Sequence, residues 1–147
     1  MTEEKVRRID VFFYGLFMEE ALLREKGMNP VDRRMASVEN FRLVIGTRAS
    51  LVPYAGTTVH GVIFSLTHSE VDALYSEDSV SVYRPEAVLA RLVDGGVIAA
   101  LCFNLPIPPE PEERNPQYLS KLKELAARIE LPPSYVSSIQ RQRRDEG

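Results

Sequence analysis

The strongest constraint on the fold is an apolar, strand-forming run near the N-terminus that stops at a glycine. Residues 11–14 are Val-Phe-Phe-Tyr, Gly15 follows them, and residues 19–24 have the pattern of a short helix with acidic residues in its first turn. A glycine at this junction lets the backbone approach a ligand closely, and the first N–H groups of a helix have no partner within it. An anion is their natural ligand. A tight turn that only packs on the core is the alternative.

Length and composition predict one domain of ordinary size with a small-molecule or protein partner. The 147 residues carry a net charge of −3 with acidic and basic residues mixed along the chain, which gives no general attraction for nucleic acid or an anionic membrane. Cys102 is the single cysteine, so the chain needs no oxidising compartment. No apolar run approaches the roughly 20 residues of a membrane span, and the first five residues are polar. We expect a cytoplasmic protein, and nothing in the sequence selects an oligomeric state.

Alternation and turn signals predict a mostly antiparallel sheet with short helices. Thr67 and Glu70 form a capping box that should begin a helix over 69–75, and Asp94-Gly95 between β-branched runs predicts a hairpin. The proline-rich stretch 106–111 cannot continue a sheet ladder and should be a connector. The other expected elements are strands over 36–45, 58–66, 81–93 and 97–104, a loop over 47–56, a helix that begins at Asn115-Pro116, and a final helix from Ser134 that ends in the basic run 141–144.

The inventory of reactive residues leaves carboxylates as the candidates for catalysis. His60, His68 and Cys102 are too few and too scattered for a recognisable metal or nucleophile motif, and each is expected to be structural.

Two groups of acids remain. Glu77-Asp78 lies where a helix ends and the chain re-enters the sheet, so a carboxylate there can point into a pocket or simply be solvated. Glu86 shares a strand face with apolar residues and therefore needs a partner or a function. An ion pair between Glu86 and Arg84 is the structural alternative.

Together these motifs resemble the gamma-glutamylcyclotransferase-like family of small α+β proteins, whose fold is a compact mixed β-barrel flanked by short helices. The family's first strand ends in Tyr-Gly, matched by residues 14–18, and its Gly-Val strand is matched within 56–66. A helix that closes on Leu-Asp-x-x-Glu-Gly is matched by 74–79. The resemblance covers roughly residues 9–105 and implies a small, mostly antiparallel barrel, which we expect to occupy 1–105. The connector and C-terminal helices of 106–147 should pack on the same domain, because the predicted helix has an apolar face at helical spacing formed by Tyr118, Leu122, Leu125 and Ile129.

The resemblance also implies a reaction. In active members the backbone N–H groups after Tyr-Gly hold the substrate carboxylate, and a glutamate acts as acid and base to cyclise a γ-glutamyl amine or peptide to 5-oxoproline and a free amine, with no metal or cofactor. The glutamate position falls on Asp78, Glu77 fits after a one-residue shift, and Glu86 is a further candidate. The implied substrate-binding residues are Tyr14, Gly15, Leu16, Phe17 and Tyr83.

The chain departs from the family pattern at the residues that matter most for catalysis. Asp78 is one methylene shorter than glutamate, Ser79 replaces the following glycine, and Leu16 replaces a polar residue. A displacement of about 1 Å in a catalytic group can cost around 100-fold in rate. Three hypotheses therefore stand: a cyclotransferase, a non-catalytic module of the same fold that binds a small carboxylated ligand or a protein partner, and a structural subunit without a pocket.

Overall fold

A computed structural model describes the backbone of residues 7–146 and the side chains of residues 7–139. Within these residues, the elements are β1 (Arg8–Phe13), α1 (Glu20–Glu25), β2 (Val31–Ile45), β3 (Ala49–Thr67), α2 (His68–Leu74), β4 (Arg84–Leu92), β5 (Val97–Asn104), α3 (Pro116–Arg128) and α4 (Pro133–Glu146), with a 3-10 turn over Leu16–Met18. The five strands close a barrel in the order β1-β3-β2-β4-β5, with the four short helices around it. All neighbouring strands are antiparallel except β1 and β5, which are parallel. The α+β fold with a small, mostly antiparallel barrel is therefore confirmed.

β3 organises the barrel because it pairs with β1 on one side and β2 on the other. The core lies inside the barrel and between it and the helices, and Phe12 of β1 and Phe64 of β3 are among its largest fully buried side chains. Gly61 lies where β1 comes closest, since a Cβ there would overlap the carbonyl oxygen of Phe13 and lie 2.8 Å from Cζ of Phe12. This glycine lets the end of β1 approach β3.

The prediction of a loop over 47–56 is wrong for most of that range, because β3 already begins at Ala49. Its proline and glycine instead accompany a bulge, where Asn40 of β2 stands opposite the segment between Pro53 and Thr58. The Asn40 Oδ1 accepts a hydrogen bond of 3.1 Å from the Gly56 N–H. The strand continues through Pro53 because a bulge interrupts the ladder that a proline would break.

The helix signals agree with the structure. The Glu70 N–H donates to Thr67 Oγ1 at 3.1 Å and the Thr67 N–H to Glu70 Oε1 at 2.8 Å, which completes the predicted capping box of α2. Asn115 caps α3, as predicted. Within the described chain, no helix is long and apolar enough to cross a bilayer. The side chains of the basic run 141–144 lie outside the described residues.

Candidate functional site

A cavity of about 400 Å³ opens where β1 ends. Its wall is mostly aromatic and apolar, and it is built from segments that are far apart in the chain. Its volume lies in the range of small-molecule sites. The five residues predicted to bind substrate all line it: Tyr14, Gly15, Leu16, Phe17 and Tyr83.

Two tyrosine hydroxyls fix the wall to the barrel. The Tyr14 hydroxyl donates to the Phe103 carbonyl at 2.7 Å, and the Tyr83 hydroxyl donates to the Ala49 carbonyl at 2.5 Å. Burial raises the pKa of Tyr14 well above its usual value and that of Tyr83 to about 12. Both groups are therefore neutral donors at physiological pH, and both donate to the backbone.

An aromatic cluster completes the inner side of the cavity. Tyr75 stacks on Phe103 with ring centroids 3.9 Å apart and an interplanar angle of 13°. Its ring also meets Phe17 and Tyr83 edge-on, with centroids at 6.2 and 6.3 Å. Such contacts are favourable beyond the area that they bury. They give the cavity a packed aromatic wall.

The charged residues of the wall are both cations. Lys26 and Arg48 line the cavity, whereas no aspartate or glutamate among the described residues does so. Arg48 Nε donates to the Ser79 carbonyl at 3.0 Å, and Lys26 Nζ lies 2.7 Å from Glu77 Oε1. The wall therefore carries the positive charge of Arg48 and that of Lys26, and the latter is paired with Glu77.

A profile of the family described as "Gamma-glutamyl cyclotransferase, AIG2-like" matches residues 11–122 of this chain. The chain belongs to this family. The match begins within β1, covers the other four strands and ends within α3.

Solved structures share the fold of this chain. A protein described as "Gamma-glutamyl cyclotransferase" superposes with a TM-score of 0.77 at 18% identity, covering 91% of this chain and 87% of that one. An uncharacterized protein from Homo sapiens gives 0.73 at 18% identity, covering 90% and 86%. YkqA from Bacillus subtilis gives 0.71 at 21% identity, and the match covers 95% of this chain and 55% of that one. These likenesses concern the fold. No match is found among curated proteins.

The two acids proposed from the family pattern differ in how they meet the cavity. Glu77 reaches its edge through the ion pair with Lys26, which is itself a lining residue. Asp78 is exposed and does not line the cavity, although the next two residues, Ser79 and Val80, do. The turn thus brings a serine, and not the aspartate, to the wall.

Glu86 belongs to a hydrogen-bond network that joins three strands. Its Oε1 accepts from Asn104 Nδ2 at 2.8 Å, and Asn104 Oδ1 accepts from the Leu51 N–H at 3.2 Å. Its strand face is apolar further along, as expected, but Glu86 is itself exposed and is not among the lining residues. Arg84 donates instead to the carbonyl groups of 81–83, so the alternative of an Arg84–Glu86 ion pair does not apply to the described side chains.

Three residues of the cavity wall lie outside the motifs that the sequence offers. Lys26 follows α1, Arg48 lies in the turn between β2 and β3, and Tyr118 lies in the first turn of α3. In the sequence, Tyr118 falls on one face of a helical pattern with Leu122, Leu125 and Ile129, which indicates packing on the sheet. No spacing in the sequence relates Lys26, Arg48 and Tyr118 to each other.

Proposed function

We propose that this protein binds a small carboxylated ligand of the γ-glutamyl class in the cavity beside Tyr14-Gly15. The observation that carries the proposal is the composition of the wall, which joins a packed aromatic surface to Lys26 and Arg48 and has no acid among its described lining residues. Aromatic walls exclude water, and a cation attracts an anion more strongly where water is excluded. The γ-glutamyl class is suggested by the family.

The two cations support carboxylate recognition in different ways. The bond from Arg48 Nε to the Ser79 carbonyl holds the guanidinium beside the cavity, where a fork of N–H donors matches the geometry of a carboxylate. Lys26 is already paired with Glu77, so a ligand carboxylate competes with Glu77 for the ammonium group. We therefore assign Arg48 the larger contribution to affinity.

Calorimetric titration with glutamate, 5-oxoproline and γ-glutamyl dipeptides tests the proposal. Arg48→Met should weaken binding about tenfold or more, because a hydrogen bond to a charged group is worth roughly 1.5–3 kcal/mol. Arg33→Met is the matched control, since Arg33 is exposed and does not line the cavity. Binding that is equal in Arg48→Met and Arg33→Met would exclude the recognition mode, and no binding of any ligand by the wild type would exclude the function.

Cyclisation is the second candidate, and the position of Glu77 favours it. A γ-glutamyl substrate whose carboxylate pairs with Lys26 would release the Glu77 carboxylate at the edge of the cavity. Glu77 could then take a proton from the substrate ammonium, and the amine would attack the γ-carbonyl to form the ring. The C–N bond to the leaving amine would break as Glu77 returns the proton. The products would be 5-oxoproline and a free amine.

Mass detection of 5-oxoproline from γ-glutamyl dipeptides and γ-glutamyl-ε-lysine separates the two candidates. If the wild type forms product, Glu77→Gln should abolish it, because Glu77 pairs with the lining residue Lys26. Asp78→Asn and Glu86→Gln should retain it, because neither of these described side chains pairs with a charged residue of the wall. Product formation at an unchanged rate in Glu77→Gln would remove Glu77 from the reaction. Binding without product would leave ligand binding as the function.

A further inference from the structure

The hydroxyl groups of the cavity tyrosines are not used alike. Those of Tyr14 and Tyr83 donate to backbone carbonyl groups and hold the wall together. Tyr118 reaches the cavity from α3, and its oxygen lies over Gly15 so closely that a Cβ on that residue would overlap it. The glycine that ends the first motif therefore makes room for a phenol from a distant helix.

Tyr118 differs from Tyr14 and Tyr83 in the surroundings of its hydroxyl group. The nearby Leu16 N–H lowers the pKa of its hydroxyl group. No described residue accepts its proton within hydrogen-bond geometry, in contrast to the hydroxyl protons of Tyr14 and Tyr83. Burial raises the pKa of Tyr118 more than the Leu16 N–H lowers it, so the phenol is protonated at neutral pH. A phenol that keeps its proton is a hydrogen-bond donor.

The first turn of α3 holds Tyr118 at this place. The Asn115 side chain accepts from the Tyr118 N–H at 3.1 Å and donates to the Thr47 carbonyl at 3.0 Å. Glu113 Oε1 accepts from the Thr47 N–H at 2.9 Å. Thr47 precedes Arg48, so one anchor fixes both the phenol and the guanidinium against the same cavity. Groups that are fixed before binding lose less freedom when the ligand arrives.

We propose that Tyr118 is a ligand-binding residue that donates its hydroxyl proton to the carboxylate of a ligand bound beside Gly15, which makes α3 a wall of the site. The inference rests on the proposed carboxylate-binding function. It assigns a binding role to a residue whose helical spacing indicated only packing. Gly15 contributes by leaving the space that the phenol occupies.

Calorimetric titration of Tyr118→Phe with 5-oxoproline and with 2-pyrrolidone, the same ring without the carboxylate, tests the role. The variant should bind 5-oxoproline about tenfold more weakly, since it loses a hydrogen bond to a charged group, and should bind 2-pyrrolidone as the wild type does. Tyr54→Phe is the matched control, because Tyr54 is exposed on the bulge of β3. Unchanged or tighter binding of 5-oxoproline by Tyr118→Phe would overturn the inference.

A second variant acts without touching the cavity. Asn115→Ala removes the cap and the bond to Thr47, so it should also weaken 5-oxoproline binding and leave 2-pyrrolidone binding unchanged. Full 5-oxoproline affinity in this variant would show that the anchor does not position the phenol. If the wild type binds 5-oxoproline and Tyr118→Phe binds it equally well, only the inference fails. If the wild type binds no carboxylated ligand, the proposed function and the inference fail together.

Discussion

Replacing Gly61 by alanine should destabilise the barrel strongly, because the new methyl group has no space. Its carbon would overlap the Phe13 carbonyl oxygen and lie 2.8 Å from Cζ and 3.1 Å from Cε1 of Phe12. Carbon atoms pack at about 3.5–4.0 Å, so the ring would have to move by roughly 0.7 Å or more. Phe12 is only 1% exposed, and the Phe13 oxygen belongs to the backbone at the end of β1. Neither the buried ring nor the backbone oxygen can move away as easily as the tip of a flexible side chain.

The expected loss of unfolding free energy is about 3 kcal/mol, at the upper end of the usual cost of overpacking, which is about 1–3 kcal/mol. In a chain of this size, each kcal/mol shifts Tm by roughly 2–4 °C, so Tm should fall by about 6–12 °C. Urea denaturation and thermal melting followed by circular dichroism measure both quantities.

Gly96→Ala is the matched control for this experiment. A Cβ at Gly96 would meet Asp94 Oδ1 at 3.4 Å and Leu92 Cδ1 at 3.8 Å, which are ordinary contacts. The cost should be within about 0.5 kcal/mol, as for most surface substitutions. If Gly61→Ala has the same Tm as Gly96→Ala and the wild type, β1 does not lie as close to β3 as the structure places it, and the steric reasoning is refuted.

Two further changes test local interactions. Burial raises the pKa of Asp10, but hydrogen bonds from the Ser65 hydroxyl and Arg34, at 2.6 and 2.7 Å, lower it by more, so the net pKa is below its usual value. The ionised carboxylate therefore stabilises the fold above its unfolded pKa of about 4, and this contribution is lost as pH falls through the lower folded pKa. Asp10→Asn should make the free energy of unfolding in urea decline less steeply below pH 4, and an equally steep decline would contradict the assignment. Thr67→Ala should cost about 1 kcal/mol in urea denaturation by removing the acceptor for the Glu70 N–H, while Thr67→Ser should retain most of the stability. Equal losses in the two variants would point to the lost methyl group instead of the cap.

The elements that the sequence predicts well are those whose cause lies within a few residues. The capping box of Thr67 and Glu70, the Asp94-Gly95 hairpin and the cap at Asn115 each depend on neighbours in the chain, and all three are present. Pro53 and Gly56 are also local signals, and they predict a loop where there is none. They mark a bulge inside a 19-residue strand, and the strand continues because it pairs with β2 on both sides of the bulge.

The candidate site is predictable only in part, because a cavity is a relation between distant segments. The Tyr-Gly motif identifies one wall, and the five residues predicted there do line the cavity. Lys26, Arg48 and Tyr118 come from three other segments, and only the folded barrel brings them to that wall. The choice between Glu77 and Asp78 shows the same limit, since a shift of one residue in a turn decides which side chain approaches the cavity.

The hydrogen bonds from the Glu113 and Asn115 side chains to the backbone of Thr47 connect the stretch before α3 to the cavity. Local opening of this stretch has to break those bonds, which also hold the turn that carries Arg48 in the cavity wall. A ligand that bridges Arg48 and Tyr118 would therefore slow proteolytic cleavage at Arg114, although that bond lies outside the cavity. Limited digestion with trypsin could thus report occupancy of the cavity without a labelled ligand.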